Sequence, residues 1–195
     1  RADLTAQGVR FSSKSDSEIL LRLYQRQGLE ATLPLLRGEF AFALFDRSED
    51  CLYLVRDRFG IKPQYWAMTP EGLVFGSELK VLFAHPAVER RFTSEGLFHQ
   101  LMQTMVPGTT AFAGVHQVKP GHVLKVQRVN GHLEVSESTY WDVDFPRKDE
   151  RDPKRTEADH IAAVRAALLE AVELRMVADV RSEEHTSELQ SQPDL

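Results

Sequence analysis

The sequence predicts an α+β protein built on antiparallel sheets, and three patterns favour this fold class. Short apolar runs alternate with polar turns between residues 40 and 75, which is typical of hairpins of buried strands. Asn130-Gly131 separates two further apolar runs and is a strong type I′ hairpin signal. Helical spacing of apolar residues before, between and after these regions indicates several helices. Hairpins joined by short turns favour antiparallel pairing.

The first two hairpins follow one another closely, so we expect their strands to form one four-stranded antiparallel meander. Phe42 and Leu54 lie inside its apolar runs and are predicted to be buried. The Asn130-Gly131 hairpin and one final strand come later in the chain. The predicted strands are residues 40–45, 51–55, 64–68, 73–75, 122–127, 133–135 and 141–145.

Ser15 and Glu18 have the spacing of a capping box, which predicts a helix that begins after Ser15 and ends at Gly28. The last predicted helix, residues 156–176, carries an apolar stripe. An isolated helix of this length is marginal in water, so we expect it to pack loosely. Two other helices are predicted, one from Ser77 to His85 and one from Thr93 or Ser94 to about Met105.

Composition excludes several classes of protein. The chain has 195 residues, 42% of them hydrophobic and 27% charged, as in ordinary globular domains. A net charge of −5 argues against a nucleic-acid or anionic-membrane partner. No apolar run approaches the roughly 20 residues that span a bilayer. The single cysteine, Cys51, fits a reducing compartment, so a cytoplasmic location is expected.

Two strings carry the strongest signal. Ser15-Asp16-Ser17-Glu18 places a lone carboxylate where a helix begins, and residues 56–65 read R-D-R-F-G-I-K-P-Q-Y. In this order and spacing they resemble the glutaminase domain of asparagine synthetase, a class II glutamine amidotransferase. Residues 110–122 and Tyr140-Trp141 resemble the asparagine synthetase type in particular. The resemblance covers roughly residues 1–180.

The resemblance implies a fold and a division into domains. The implied fold is a four-layer αββα sandwich of the N-terminal-nucleophile hydrolase type, incomplete here, followed by the first helix of an ATP-pyrophosphatase-type α/β domain. Residues 1–145 form the amidotransferase domain without its N-terminal part, 146–155 a linker, and 156–180 the start of a ligase domain. Residues 181–195 resemble a translated sequencing adapter and are interpreted as a non-native, disordered tail.

The resemblance also implies a reaction. The full-length enzyme hydrolyses glutamine through a thioester, and the ammonia amidates aspartate that ATP and Mg²⁺ have activated. The family's nucleophile is an N-terminal cysteine, which this sequence does not contain, and no S-G-G-x-D-S phosphate loop is present. We therefore expect no catalytic residue, no bound cofactor and no activity in this chain alone. The full-length enzyme is expected to be a homodimer.

Asp16 is the candidate substrate-binding residue. The resemblance assigns it to the ammonium group of glutamine, and a carboxylate suits that charge. The structural alternative is that an aspartate at a helix N-terminus is favoured by the helix dipole without any ligand. Arg56 and Asp57 are candidates for the wall of the site. Their structural alternative is a charge cluster that fixes the turn at Gly60.

Cys51 is not predicted to be a nucleophile, because it lies in an apolar strand away from any positive charge or histidine. The seven histidines show no zinc spacing, so no metal site is predicted. Two other functions remain open. One is a related amidotransferase or β-lactam-synthetase-like ligase with another acceptor. The other is a non-enzymatic α+β binding module without a glutamine pocket at Asp16.

Overall fold

The computed structural model describes residues 1–147 and 154–176. Its contacts divide the chain into two units, Arg1–Val143 and Asp144–Leu195. The predicted linker, residues 146–155, lies partly outside the described residues. The predicted tail, residues 181–195, lies wholly outside them. The helices are α1 (Ala2–Ala6), α2 (Asp16–Thr32), α3 (Leu79–Leu82), α4 (Ser94–Met102) and α5 (Glu157–Arg175), with a 3-10 turn at Leu33–Leu35. The strands are β1 (Ala41–Asp46), β2 (Cys51–Arg56), β3 (Tyr65–Thr69), β4 (Gly72–Gly76), β5 (Val115–Gln117), β6 (His122–Val129) and β7 (His132–Thr139).

The strands form two antiparallel sheets, which confirms the predicted α+β class. The first sheet has the order β1-β2-β6-β7 and the second has the order β4-β3-β5. The single four-stranded meander was therefore wrong, because the two early hairpins lie in different sheets. β2 has its second neighbour in β6, where Leu54 pairs with Leu124, and this pairing excludes β3 from that edge. Pro63, which has no N–H for a ladder, lies in the connection between the sheets.

Three clusters of buried side chains hold four layers together. Leu29 and Leu33 pack α2 and the turn after it against one face of the first sheet. Leu54 and Leu124 lie on the opposite face, in a cluster that includes Trp66 of the second sheet. Leu82 of α3 joins the cluster on the second sheet. The order helix, sheet, sheet, helix agrees with the predicted αββα sandwich. Each fully buried leucine contributes about 1.5–3 kcal/mol relative to an exposed one.

Several predicted boundaries change for physical reasons. The Ser15 side chain caps α2 by accepting from the Ser17 N–H at 3.2 Å, but Glu18 accepts from residues other than Ser15, so the capping box does not form. Gly28 has the non-helical φ and ψ of 77° and 176°, so the first helical segment of α2 ends there as predicted and a second short segment continues to Thr32. α4 ends at Met102 because Gln103 adopts the left-handed conformation with φ of 55°.

Residues 141–145 do not form the predicted strand. The N–H groups of Tyr140 and Trp141 both donate to the Gly121 carbonyl, at 2.9 and 3.2 Å, which ends the regular ladder after β7. The Asn130-Gly131 turn has positive φ at both positions, 51° and 83°, as the type I′ prediction requires. Leu54 is fully buried as predicted, whereas Phe42 is half-buried at the outer strand β1.

The second unit contains α5. Thr156 caps this helix and forms a capping box with Asp159. Its apolar stripe is exposed, with Ile161 at 62% and Leu168 at 63%. Of the helices in residues 1–147 and 154–176, none has the length and apolar character needed to cross a membrane.

Candidate functional site

Asp16 lies at the rim of a cavity of about 440 Å³ between α2 and the outer strand of the first sheet. It is the first residue of α2 and is exposed to solvent. Its carboxylate has no hydrogen bond or ion pair with any residue of the described parts of the chain. Apolar side chains make up much of the lining, and the polar residues Ser17, Arg37 and Glu39 line the cavity as well. An unpaired carboxylate in such a cavity is an arrangement that can bind the ammonium group of a small substrate.

The loop before Asp16 is held by Glu18. The Glu18 carboxylate accepts from the backbone N–H groups of Ser12 and Ser13, at 2.9 and 2.7 Å. It also accepts from both serine hydroxyls, at 3.0 and 2.8 Å, and pairs with Arg22 at 3.2 Å. The bond from the Ser12 N–H, followed by the bond from the Ser13 hydroxyl, lowers the pKa of Glu18 to about 2. Glu18 is therefore ionised at neutral pH.

Arg1 contacts the same loop from its carbonyl side. Its guanidinium donates to the backbone carbonyls of Ser13 and Ser15, at 2.8 and 2.9 Å. The guanidinium also lies over the Phe11 ring, 4.4 Å from its centre. Glu18 therefore binds N–H groups of this loop, and Arg1 binds its carbonyls.

Arg56 and Asp57 fix the loop that follows β2. Asp57 is 1% exposed, and its carboxylate accepts from the N–H groups of Phe59, Ile61 and Lys62 at 2.9–3.1 Å. Arg56 donates to three backbone carbonyls, including that of Val118 at 2.8 Å. Burial lowers the pKa of Arg56, and the charge of Asp57 opposes that shift.

The structure does not bring Arg56 and Asp57 into the lining of the Asp16 cavity. Their polar groups are occupied by the backbone, which matches the turn-fixing alternative. A role as a site wall stays a prediction. Cys51 is 0% exposed in β2, as expected of a core thiol. Within residues 1–147 and 154–176, no group of three or more histidine, cysteine, aspartate or glutamate side chains could hold a metal ion.

Sequence reasoning did not find the Glu18–loop contacts or the polar link between α2 and β1. The hydroxyl of Tyr24 donates to Asp46, which joins the helix to the strand. The hydrogen bond from the Ser48 hydroxyl, followed by that from Tyr24, lowers the pKa of Asp46 to about 2. The adjacent pair Ser12-Ser13 was the available signal for Glu18, because it places four donors just before the helix.

Two antiparallel sheets between helices are the architecture expected of a glutamine amidotransferase domain. Residues 1–141 match the family described as glutamine amidotransferase domain, and the chain belongs to this family.

Curated relatives extend the comparison. The chain is 37% identical to Amidase chyE of Penicillium rubens and 38% identical to Amidase chry2 of Gibberella zeae, over 91% and 90% of its length. It is 33% identical to asparagine synthetase [glutamine-hydrolyzing] 3 of Bacillus subtilis over 92% of its length. The chain spans 25–28% of the length of these relatives.

Among solved structures, the glutamine phosphoribosylpyrophosphate amidotransferase from B. subtilis, complexed with ADP and GMP, matches with a TM-score of 0.46 and 20% identity. The match covers 69% of this chain and 25% of that one.

Proposed function

We propose that this chain is the glutaminase part of an asparagine-synthetase-like enzyme, which releases ammonia from glutamine to amidate an ATP-activated aspartate. The observation that carries the proposal is Asp16, an exposed and unpaired carboxylate that lines a cavity in a glutamine amidotransferase domain. In this proposal, Asp16 binds the ammonium group of glutamine.

The remaining chemistry is not assigned to residues of this chain. Cys51 is enclosed in the core and does not reach a substrate. The described residues contain no cluster that fits Mg²⁺, so no step through ATP or the metal is derived. We propose that those steps belong to the longer protein, since this chain spans 25% of the length of its two amidase relatives.

The test is Asp16→Asn in the full-length protein. A charge-assisted contact contributes about 1.5–3 kcal/mol, so glutamine use should weaken roughly ten- to a hundredfold. Activity with ammonia in place of glutamine should be nearly unchanged, because ammonia bypasses this site. Asp3→Asn is the matched control, since Asp3 also stands in the first turn of a helix but does not line the cavity. Equal loss of both activities would mean that the substitution damages folding.

A second candidate function is transfer of the amide nitrogen of glutamine to an acceptor other than aspartate. The higher identity to two amidases than to asparagine synthetase supports it. Supplying the full-length protein with glutamine labelled with ¹⁵N in its amide distinguishes the candidates by mass spectrometry. Label in asparagine supports the first proposal, and label in another amide supports the second. A binding module without enzymatic function would leave the label in glutamine.

A further inference from the structure

We propose that Glu18 is a positioning residue for glutamine, which holds the loop of residues 12–15 so that Asp16 stays at the rim of the cavity. This inference rests on the proposed role of Asp16. Glu18 itself does not touch the substrate: its side chain is only 10% exposed, and its carboxylate is directed to the serines before the helix.

Glu18 accepts hydrogen bonds from all the N–H and hydroxyl donors at the start of the loop. Its two carboxylate oxygens accept from four donors of the loop, the N–H and hydroxyl groups of Ser12 and Ser13, and from the guanidinium of Arg22 in α2 at 3.2 Å. The loop then continues through Ser15, whose side chain caps the helix at the Ser17 N–H. Asp16 lies between the cap and this N–H, so its backbone is fixed by contacts on both sides.

A carboxylate is required for this arrangement. A glutamine side chain has one acceptor oxygen, and its NH₂ group would face N–H donors that it cannot satisfy. Because the pKa of Glu18 is about 2, the four-donor arrangement persists throughout the working pH range. Asp16 and Glu18 are two residues apart on the helix, so their side chains do not share a face. In this inference, Glu18 acts on the substrate by way of the loop.

The experiment compares Glu18→Gln, Asp16→Asn and the double variant in the full-length protein. We expect Glu18→Gln to raise the KM for glutamine about tenfold, because a small misplacement of a binding group is costly, and to change kcat less than about twofold. Ammonia-dependent activity should be unchanged. In the Asp16→Asn background, Glu18→Gln should have no further effect on KM, since residues that act through one another are not additive.

A milder variant keeps the test valid if Glu18→Gln folds poorly. Ser12→Ala with Ser13→Ala removes two of the four donors but keeps both backbone N–H groups. The expected rise in KM is smaller, about two- to threefold, with ammonia-dependent activity again unchanged.

The outcomes separate this inference from the proposed function. If Asp16→Asn raises KM but neither Glu18→Gln nor the double serine variant does, Glu18 is not a positioning residue and the glutamine site stands. If Glu18→Gln lowers glutamine- and ammonia-dependent activity equally, or raises KM further in the Asp16→Asn background, its role is only structural. If Asp16→Asn itself has no effect on glutamine use, the proposed function fails and the inference fails with it.

Discussion

At the scale of the residue, the loop after β2 shows how buried charge fixes a backbone. Asp57 accepts from three N–H groups of this loop, and Arg56 donates to two carbonyls of the loop and to that of Val118 between β5 and β6. Gly60 stands inside this arrangement with φ of 66°, and a Cβ there would lie 2.8 Å from Pro120 Cγ and 2.9 Å from Arg56 Cζ. The position therefore requires both the left-handed conformation and the absence of a side chain.

Gly60→Ala is expected to destabilise the protein more than Gly114→Ala. Gly114 has a similar φ of 70°, but a Cβ at that position would meet nothing within 4 Å, so it isolates the conformational penalty of about 1–2 kcal/mol. Overpacking at Gly60 should add about 1–3 kcal/mol. Urea unfolding measures both values. Equal losses would show that Pro120 and Arg56 move aside without cost.

Residue-level prediction from the sequence succeeded where the signal was local. Asp16 stands at a helix N-terminus and Cys51 is buried, as their neighbours in the sequence indicated. The partner of Glu18 was predicted wrongly, because the spacing Ser-x-x-Glu also fits a capping box and outweighed the signal of Ser12-Ser13. Ser12 and Ser13 together offer four hydrogen-bond donors, whereas Ser15 offers only its backbone N–H for a capping box. The Glu18 carboxylate accepts from the four donors.

At the scale of the element, local pairings were predicted and distant ones were not. The pairs β1–β2, β3–β4 and β6–β7 were all predicted as hairpins and form as such. The pairing of β2 with β6 joins residues about seventy positions apart, Leu54 and Leu124, and no short-range pattern specifies it. The first four strands were therefore predicted correctly, but they lie in two sheets and not in the single predicted sheet.

The link between α2 and β1 predicts an acid response. The pKa of Asp46 is about 2 in the folded protein, below its unfolded value of about 3.9. A depressed pKa adds stability that is fully present above the unfolded value and is lost as pH falls through the folded value. The free energy of unfolding should consequently drop between about pH 5 and pH 2, and this drop should be smaller in Asp46→Asn.

The acid-induced drop in the free energy of unfolding of Tyr24→Phe should lie between those of the wild type and Asp46→Asn. The substitution removes the second cause of the lowered Asp46 pKa and leaves the hydrogen bond from Ser48 in place. Chemical denaturation at several pH values measures the three responses. If Tyr24→Phe keeps the full wild-type drop, the hydroxyl of Tyr24 does not stabilise the Asp46 charge.

At the scale of the whole molecule, the two units differ in how they bury apolar surface. The first unit has three clusters of buried side chains. In the second unit, every described residue of α5 is exposed, including Val164 at 60% and Val172 at 58%. Since α5 buries no side chain, its stability as a helix depends on its cap and on intrinsic propensity.

Removing residues 144–195 should therefore leave the melting temperature of Arg1–Val143 within about two degrees, because the described residues of this unit bury no side chain. Differential scanning calorimetry of both lengths measures this. The shorter protein should also be less prone to self-association, since the exposed stripe of α5 is gone. A fall of many degrees would show that the second unit stabilises the first.

The enclosed thiol of Cys51 is a native probe for the opening of the first sheet. It is the single cysteine of the sequence and is fully covered in β2, which lies between β1 and β6. A thiol reagent can reach it only in molecules whose strands have separated. The rate at which an excess of such a reagent modifies the native protein therefore reports how often these strands part, without an introduced probe and at a known position in the core.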